Sequence, residues 1–106
     1  MKQITVSELA EKLANNSNQS TLLDVRETWE YDICHIENST HIPMGKIPTS
    51  LDQFKSDDEI IVICHHGIRS AQVTMYLNHM GFENVLNLKG GIENWATEID
   101  NNMARY

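Results

Sequence analysis

Five residues in one short stretch carry the chemistry that this sequence offers. In IIVICHHGIRSAQ, residues 60–72, a β-branched run leads into Cys64, His65, His66, Gly67 and Arg69, and a helical pattern follows. Cys64 supplies a thiol, and a thiolate is a strong nucleophile. Gly67 suits a turn that needs positive φ or a close backbone approach. Arg69 adds a permanent cation with a planar fork for an oxyanion. His65 and His66 serve near neutral pH as neutral donors or partial cations. A short loop closing onto a helix N-terminus turns backbone N–H groups inward and favours an anion at its centre. The stretch can therefore activate a sulfur nucleophile and hold an anionic substrate at one point.

Each residue alone has a plainer explanation. A lone cysteine after a strand is usually a small buried hydrophobe, and paired histidines usually sit at the surface. Cys34, His35, His41, Cys64, His65 and His66 also supply zinc-ligand types, but their spacings match no common zinc pattern. No metal and no cofactor is expected. The conjunction of nucleophile, glycine, cation and helix start favours chemistry.

Several elements must position this junction. A strand is expected over residues 4–6, and Ser7 can cap a following helix whose apolar face is Val6, Leu9, Ala10, Leu13 and Ala14. Residues 15–20 read as a polar loop. TLLDV (21–25) reads as a strand buried on both faces, and residues 27–33 as a short helix. Residues 35–44 read as loop plus a short strand closed by Pro43, and 48–54 as a weak helix. EIIVI (59–63) is the strongest strand. Beyond the junction Val73, Tyr76, Leu77 and Met80 share a helix face that Gly81 ends. NVLNL (84–88) is a further strand, and KGGIENW opens a last helix. Strands alternating with helices predict an α/β fold with a largely parallel sheet, and ligands of such sheets bind beyond the carboxyl ends of the strands.

Composition narrows the function. The 106 residues are read as one domain, 1–106, with 41% hydrophobic content and a formal net charge of -7. That sign disfavours nucleic acid and anionic membranes as partners. The sequence starts without an apolar leader, and its longest apolar run, IIVIC, is far too short to span a membrane. A cytoplasmic protein with reduced thiols is expected, and a monomer.

CHHGIRS resembles the active-site loop of the rhodanese family, the single-domain sulfurtransferases. LLDVRETWEY (22–31) is similar to the family's Asp-Val-Arg segment, CHIENSTHIPM (34–44) to its Gly-His-Ile…His-Ile-Pro segment, and GFENVLNLKGGIENW (81–95) to its closing strand and Gly-Gly-Ile…Trp motif. The resemblance implies a five-stranded, mostly parallel sheet of order 1-5-4-2-3 with helices on both faces. It implies that Cys64 accepts a sulfane sulfur as a persulfide, and that His65, His66, Gly67, Ile68, Arg69 and Ser70 form the cradle. The donor would be thiosulfate or another persulfide. The acceptor would be cyanide, a thiol, a thioredoxin-like protein or a sulfur-carrier protein. Two departures stand out: Cys34 replaces a glycine, and Asn38-Ser39-Thr40 replaces the usual Gly-Ala.

Asp24 and Arg26 are expected to give structural support, with Arg26 paired to Glu27 or Glu30 and Asp24 to loop donors. Trp29, Tyr31 and Trp95 are expected to pack rather than to cage a substrate, and Cys34 to be a packing residue. A phosphatase or arsenate reductase of the same fold, and a non-catalytic interaction module of the family, are the competing functions.

Overall fold

The computed structural model describes residues 1–15 and 19–106. Part of the polar loop expected over 15–20 therefore lies outside the described residues. Five strands are formed: β1 (Lys2–Ile4), β2 (Thr21–Asp24), β3 (Thr40–His41), β4 (Ile60–Ile63) and β5 (Val85–Leu88). They make one sheet in the order β1-β5-β4-β2-β3. Every pairing is parallel, β3 included, so the sheet is wholly rather than mostly parallel. Four helices connect and cover it: α1 (Val6–Ala14), α2 (Thr28–Ile33), α3 (Ile68–His79) and α4 (Gly91–Glu98).

The central strand β4 explains the layering. All four of its residues are fully buried, as expected of a parallel strand covered on both faces. Successive side chains point to opposite faces. Ile61 and Ile63 pack with Val6, Leu9, Ile92 and Trp95 of α1 and α4. Ile60 and Val62 pack with Val73 and Leu77 of α3 and with Ile47. The same alternation carries Cys64 onto the α3 face, and Cys34 belongs to the opposite core.

Four local expectations are corrected. The first strand ends at Ile4, and Thr5, not Ser7, caps α1. Thr5 Oγ1 accepts the Glu8 N–H at 3.1 Å while the Thr5 N–H donates to Glu8 Oε1 at 2.9 Å. This reciprocal pair satisfies two free amides, and Ser7 has no acid three residues on to do the same. The weak helix of 48–54 is replaced by two 3₁₀ turns, Met44–Thr49 and Leu51–Gln53. Pro48 lies inside the first, where it lacks the N–H that an α-helix needs. Met80 is 47% exposed rather than buried with Val73 and Leu77. It follows the last residue of α3, where Gly81 takes φ 99°. The Gly81 and Phe82 amides then close back on Asn78 and Leu77. Phe82 is buried in that closure instead.

Among the described residues, no helix is long and apolar enough to cross a membrane.

Candidate active site

Cys64 lies one residue beyond β4, at the carboxyl end of the sheet, and is 1% exposed. Its Sγ accepts a hydrogen bond from the Gly67 N–H at 3.0 Å. Gly67 holds φ 99° and caps α3, so the backbone turns sharply over the sulfur. The carbonyls of the loop are tied away from it: Cys64 O accepts from the Ile92 N–H at 2.9 Å, and His65 O from the Glu93 N–H at 3.1 Å. The first turn of α4 thus fixes the loop with its amide side toward the sulfur. That approach requires glycine. A Cβ on Gly91, which has φ +61°, would stand 2.4 Å from Cys64 O and 2.5 Å from His65 O.

A second polar group meets the sulfur. Ser70 Oγ is 3.2 Å from Cys64 Sγ and donates to Asn87 Oδ1. The Asn87 amide faces two acceptors, Gln3 Oε1 and Gly67 O, both at 3.3 Å, which fixes its orientation. With its single proton on Asn87, Ser70 accepts from a Cys64 thiol. Asn87 interrupts the apolar strand β5, and strand alternation puts it on the α3 face with Val85. A buried asparagine in such a strand was a readable signal.

The two arginines near the site are paired differently from expectation. Arg26 does not pair with Glu27 or Glu30. Its Nε lies 2.9 Å from Asp24 Oδ1 and its Nη2 2.7 Å from Asp24 Oδ2, with both side chains fully buried. Nη2 also reaches Cys34 O at 2.6 Å. Asp24 thus finds its donors two residues away, at the end of its own strand, and a buried fork keeps both charges satisfied. Glu30 is taken by Arg69, through Nη1–Oε1 at 2.6 Å and Nη2–Oε2 at 2.8 Å. Arg69 holds Glu30 down to about pKa 2 against the opposing effect of burial. Reciprocally, the Glu30 hydrogen bond keeps Arg69 above its ordinary range, and the Cys64 charge adds to this. The Arg69 fork is thus turned to Glu30.

The remaining loop residues form the mouth. The His65 ring stacks on His66 at 4.0 Å and on Tyr106 at 4.1 Å. Burial lowers the His65 pKa, the neighbouring His66 acts in the same direction, and Glu93 opposes both. His66 is exposed. Ile68 is 72% exposed, so its side chain faces solvent rather than the sulfur. A cavity of about 460 Å³ opens between His65, His66, Glu93, Arg105 and Tyr106. No local pattern in the sequence pointed to Tyr106 or Glu93.

Tyr31 stacks between His35 and His41, Trp95 is buried, and Trp29 is exposed beside Tyr106. Among the described residues no three His, Cys, Asp or Glu side chains gather as a metal site. Asn38 takes φ 69°, so where the family has glycine this chain uses a residue that tolerates the left-handed region. Cys34 and Cys64 are both free thiols on opposite faces of the sheet. Cys34→Ser is therefore expected to keep most Cys64-dependent activity. Its strong contact with Arg26 is through the backbone carbonyl, which the substitution leaves in place. Complete loss in a steady-state assay would point to a mechanism using both thiols.

A five-stranded parallel sheet whose central strand delivers a cysteine into a tight loop at a helix start defines an α/β protein with a sulfur-centred cradle. The chain belongs to the rhodanese-like domain family, whose model matches residues 5–98. YtwF of Bacillus subtilis, which carries the name of a sulfurtransferase, is 37% identical over 98 residues, 92% of this chain and 93% of that protein. The thiosulfate sulfurtransferase GlpE of Vibrio cholerae is 32% identical over 77 residues, 73% of each chain. YrkF of B. subtilis, which carries the name of a sulfur carrier protein, is 35% identical over 79 residues; these are 74% of this chain but only 43% of that longer protein. The crystal structure of a rhodanese-like domain protein from Staphylococcus aureus superposes with a TM-score of 0.84 at 37% identity, covering 90% of this chain and 91% of the other.

Proposed function

We propose that this protein is a sulfurtransferase that carries sulfane sulfur on Cys64. The observation that carries the reading is the Gly67 N–H placed 3.0 Å from Cys64 Sγ at the start of α3, where a thiolate or persulfide finds a fixed donor. With thiosulfate as donor, the Cys64 thiolate attacks the outer sulfur. The S–S bond to the sulfonate breaks, and sulfite leaves with the bonding pair. A thiol or cyanide acceptor then attacks the terminal sulfur of the Cys64 persulfide and returns the cysteine as thiolate. His65, His66, Gly67, Ile68, Arg69 and Ser70 supply the loop around this chemistry, and Asp24 and Arg26 support it from behind. Thiosulfate fits the name of the Vibrio relative, and a sulfur-carrier protein fits that of YrkF; a thioredoxin-like protein is the other protein acceptor. Both thiols would work reduced, in a monomer in the cytoplasm.

Loop size argues against a phosphatase or arsenate reductase. Four residues separate Cys64 from Arg69, whereas the resembling phosphatase loops place five there. The amide of Gly67 sits on the sulfur itself, as expected of a shorter loop closed for one added sulfur rather than for three terminal oxygens. Incubation with thiosulfate is expected to add one sulfur atom per chain by intact mass, removable by cyanide. Aryl phosphate hydrolysis is expected to be negligible. Cys64-dependent hydrolysis comparable to sulfur transfer would give the site to phosphate chemistry instead. Absence of any sulfur adduct would favour a non-catalytic module.

A further inference from the structure

Beyond α4 the chain folds back over the site, and Arg105 pairs with Glu93. Tyr106 follows, with its ring against His65 and its edge toward Trp29. Its hydroxyl lies between two buried charges, 3.0 Å from Arg26 Nη1 and 2.8 Å from Glu30 Oε2. A guanidinium only donates, so the phenol oxygen accepts from Arg26 and its own proton goes to Glu30. Burial pushes the Tyr106 pKa up to about 12, so that proton is present at neutral pH.

Glu30 is 3% exposed, and a buried carboxylate is costly unless it stays paired. Two hydrogen bonds come from Arg69. Two more come from groups that do not belong to the loop: the Glu27 N–H on Oε1 at 3.0 Å and the Tyr106 hydroxyl on Oε2. Of the two guanidinium groups, Arg26 is fully buried while the Arg69 side chain is 36% exposed. Arg69 is the one free to turn.

We propose that Tyr106 is a positioning residue that sets the affinity of the site for anionic donors, by keeping Glu30 paired when Arg69 turns from Glu30 to the anionic end of the donor. The inference deepens the sulfurtransferase reading and rests on it for the identity of the donor. Without the hydroxyl, release of Arg69 leaves Glu30 Oε2 with no donor, and Arg69 stays on Glu30.

The test reads anion binding apart from sulfur transfer. Alkylation of Cys64 by neutral iodoacetamide, read on the Cys64 peptide, is measured against increasing sulfate as an inert dianion. Sulfate is expected to protect the wild type. Tyr106→Phe, which keeps the ring, should need about tenfold more sulfate for half protection, the size expected for one hydrogen bond to a charged group. Glu30→Gln removes the charge that must stay paired, so it should tighten sulfate protection, and adding Tyr106→Phe to it should have no further effect. Glu30→Gln also decides the matter should Tyr106→Phe fail to fold. Equal half-protection in wild type and Tyr106→Phe, no protection of the wild type, or weaker protection in Glu30→Gln would overturn the proposal. Tyr106-dependent protection in a protein without sulfur transfer would sink the sulfurtransferase reading alone. Sulfur transfer with Tyr106-independent protection would sink this inference alone.

Discussion

Cys64→Ser is expected to abolish both the thiosulfate-derived sulfur adduct and steady-state sulfur transfer. A serine oxygen fits the same place, beside Ser70 Oγ and under the Gly67 N–H, so the fold should survive with little change in Tm. The chemistry should not. A hydroxyl is a weak nucleophile at neutral pH, and no oxygen analogue of the persulfide can be passed on by thiol exchange. Turnover in a folded Cys64→Ser protein would remove Cys64 from the mechanism and direct attention to Cys34. Intact mass, cyanolysis and thermal melting on the same preparation settle the outcome.

Gly91→Ala should be the most damaging substitution outside the loop itself. The new methyl would be placed 2.4 Å from Cys64 O and 2.5 Å from His65 O, at a φ of +61° that suits glycine. Either the loop or α4 must move, and the bonds from the Ile92 and Glu93 amides to those carbonyls go with it. Left-handed strain, overpacking and two lost hydrogen bonds together amount to about 3–5 kcal/mol. For a domain of this size that lowers Tm by more than about 10 °C. Sulfur transfer should fall at least about tenfold even where the protein is still folded, because the amide side of the loop no longer faces Sγ. Gly45→Ala is the control: nothing lies within 4 Å of its added Cβ and its φ is not positive, so melting and turnover should stay at wild-type values. A Gly91→Ala protein with unchanged Tm and kcat/KM would mean that the α4 contact does not hold the loop.

Much of this was legible along the chain. The β-branched run of β4 announced a strand buried on both faces, and its alternation sends Cys64 to the face opposite Ile63. Gly67 and the apolar residues of α3 marked the turn and the helix start. These are local signals, fixed by φ/ψ preference and by the period of apolar residues, so the strand, the loop and the position of Cys64 between them could be placed from the sequence alone. Where local signals compete, the stronger one decides. Thr5 won the α1 cap from Ser7 because Glu8 stands three residues after it. Pro48 turned a helical composition into 3₁₀ turns.

The pairing of charges was decided elsewhere. Glu30 and Arg69 are 39 residues apart, and Tyr106 lies 76 residues from Glu30. No local pattern links such residues, and the sequence offered Arg26 three acids within four residues, Asp24, Glu27 and Glu30. Tertiary structure chose among them. Asp24 leaves the end of β2 fully buried and takes the fully buried Arg26, while the start of α3 carries Arg69 across to α2. What the sequence by itself determined was the place of Cys64 and of the loop that closes on it, because these depend on residues adjacent in the chain. What only the tertiary structure decided was which charges stand behind the cradle, because a buried charge is satisfied by whatever the fold brings within hydrogen-bonding distance.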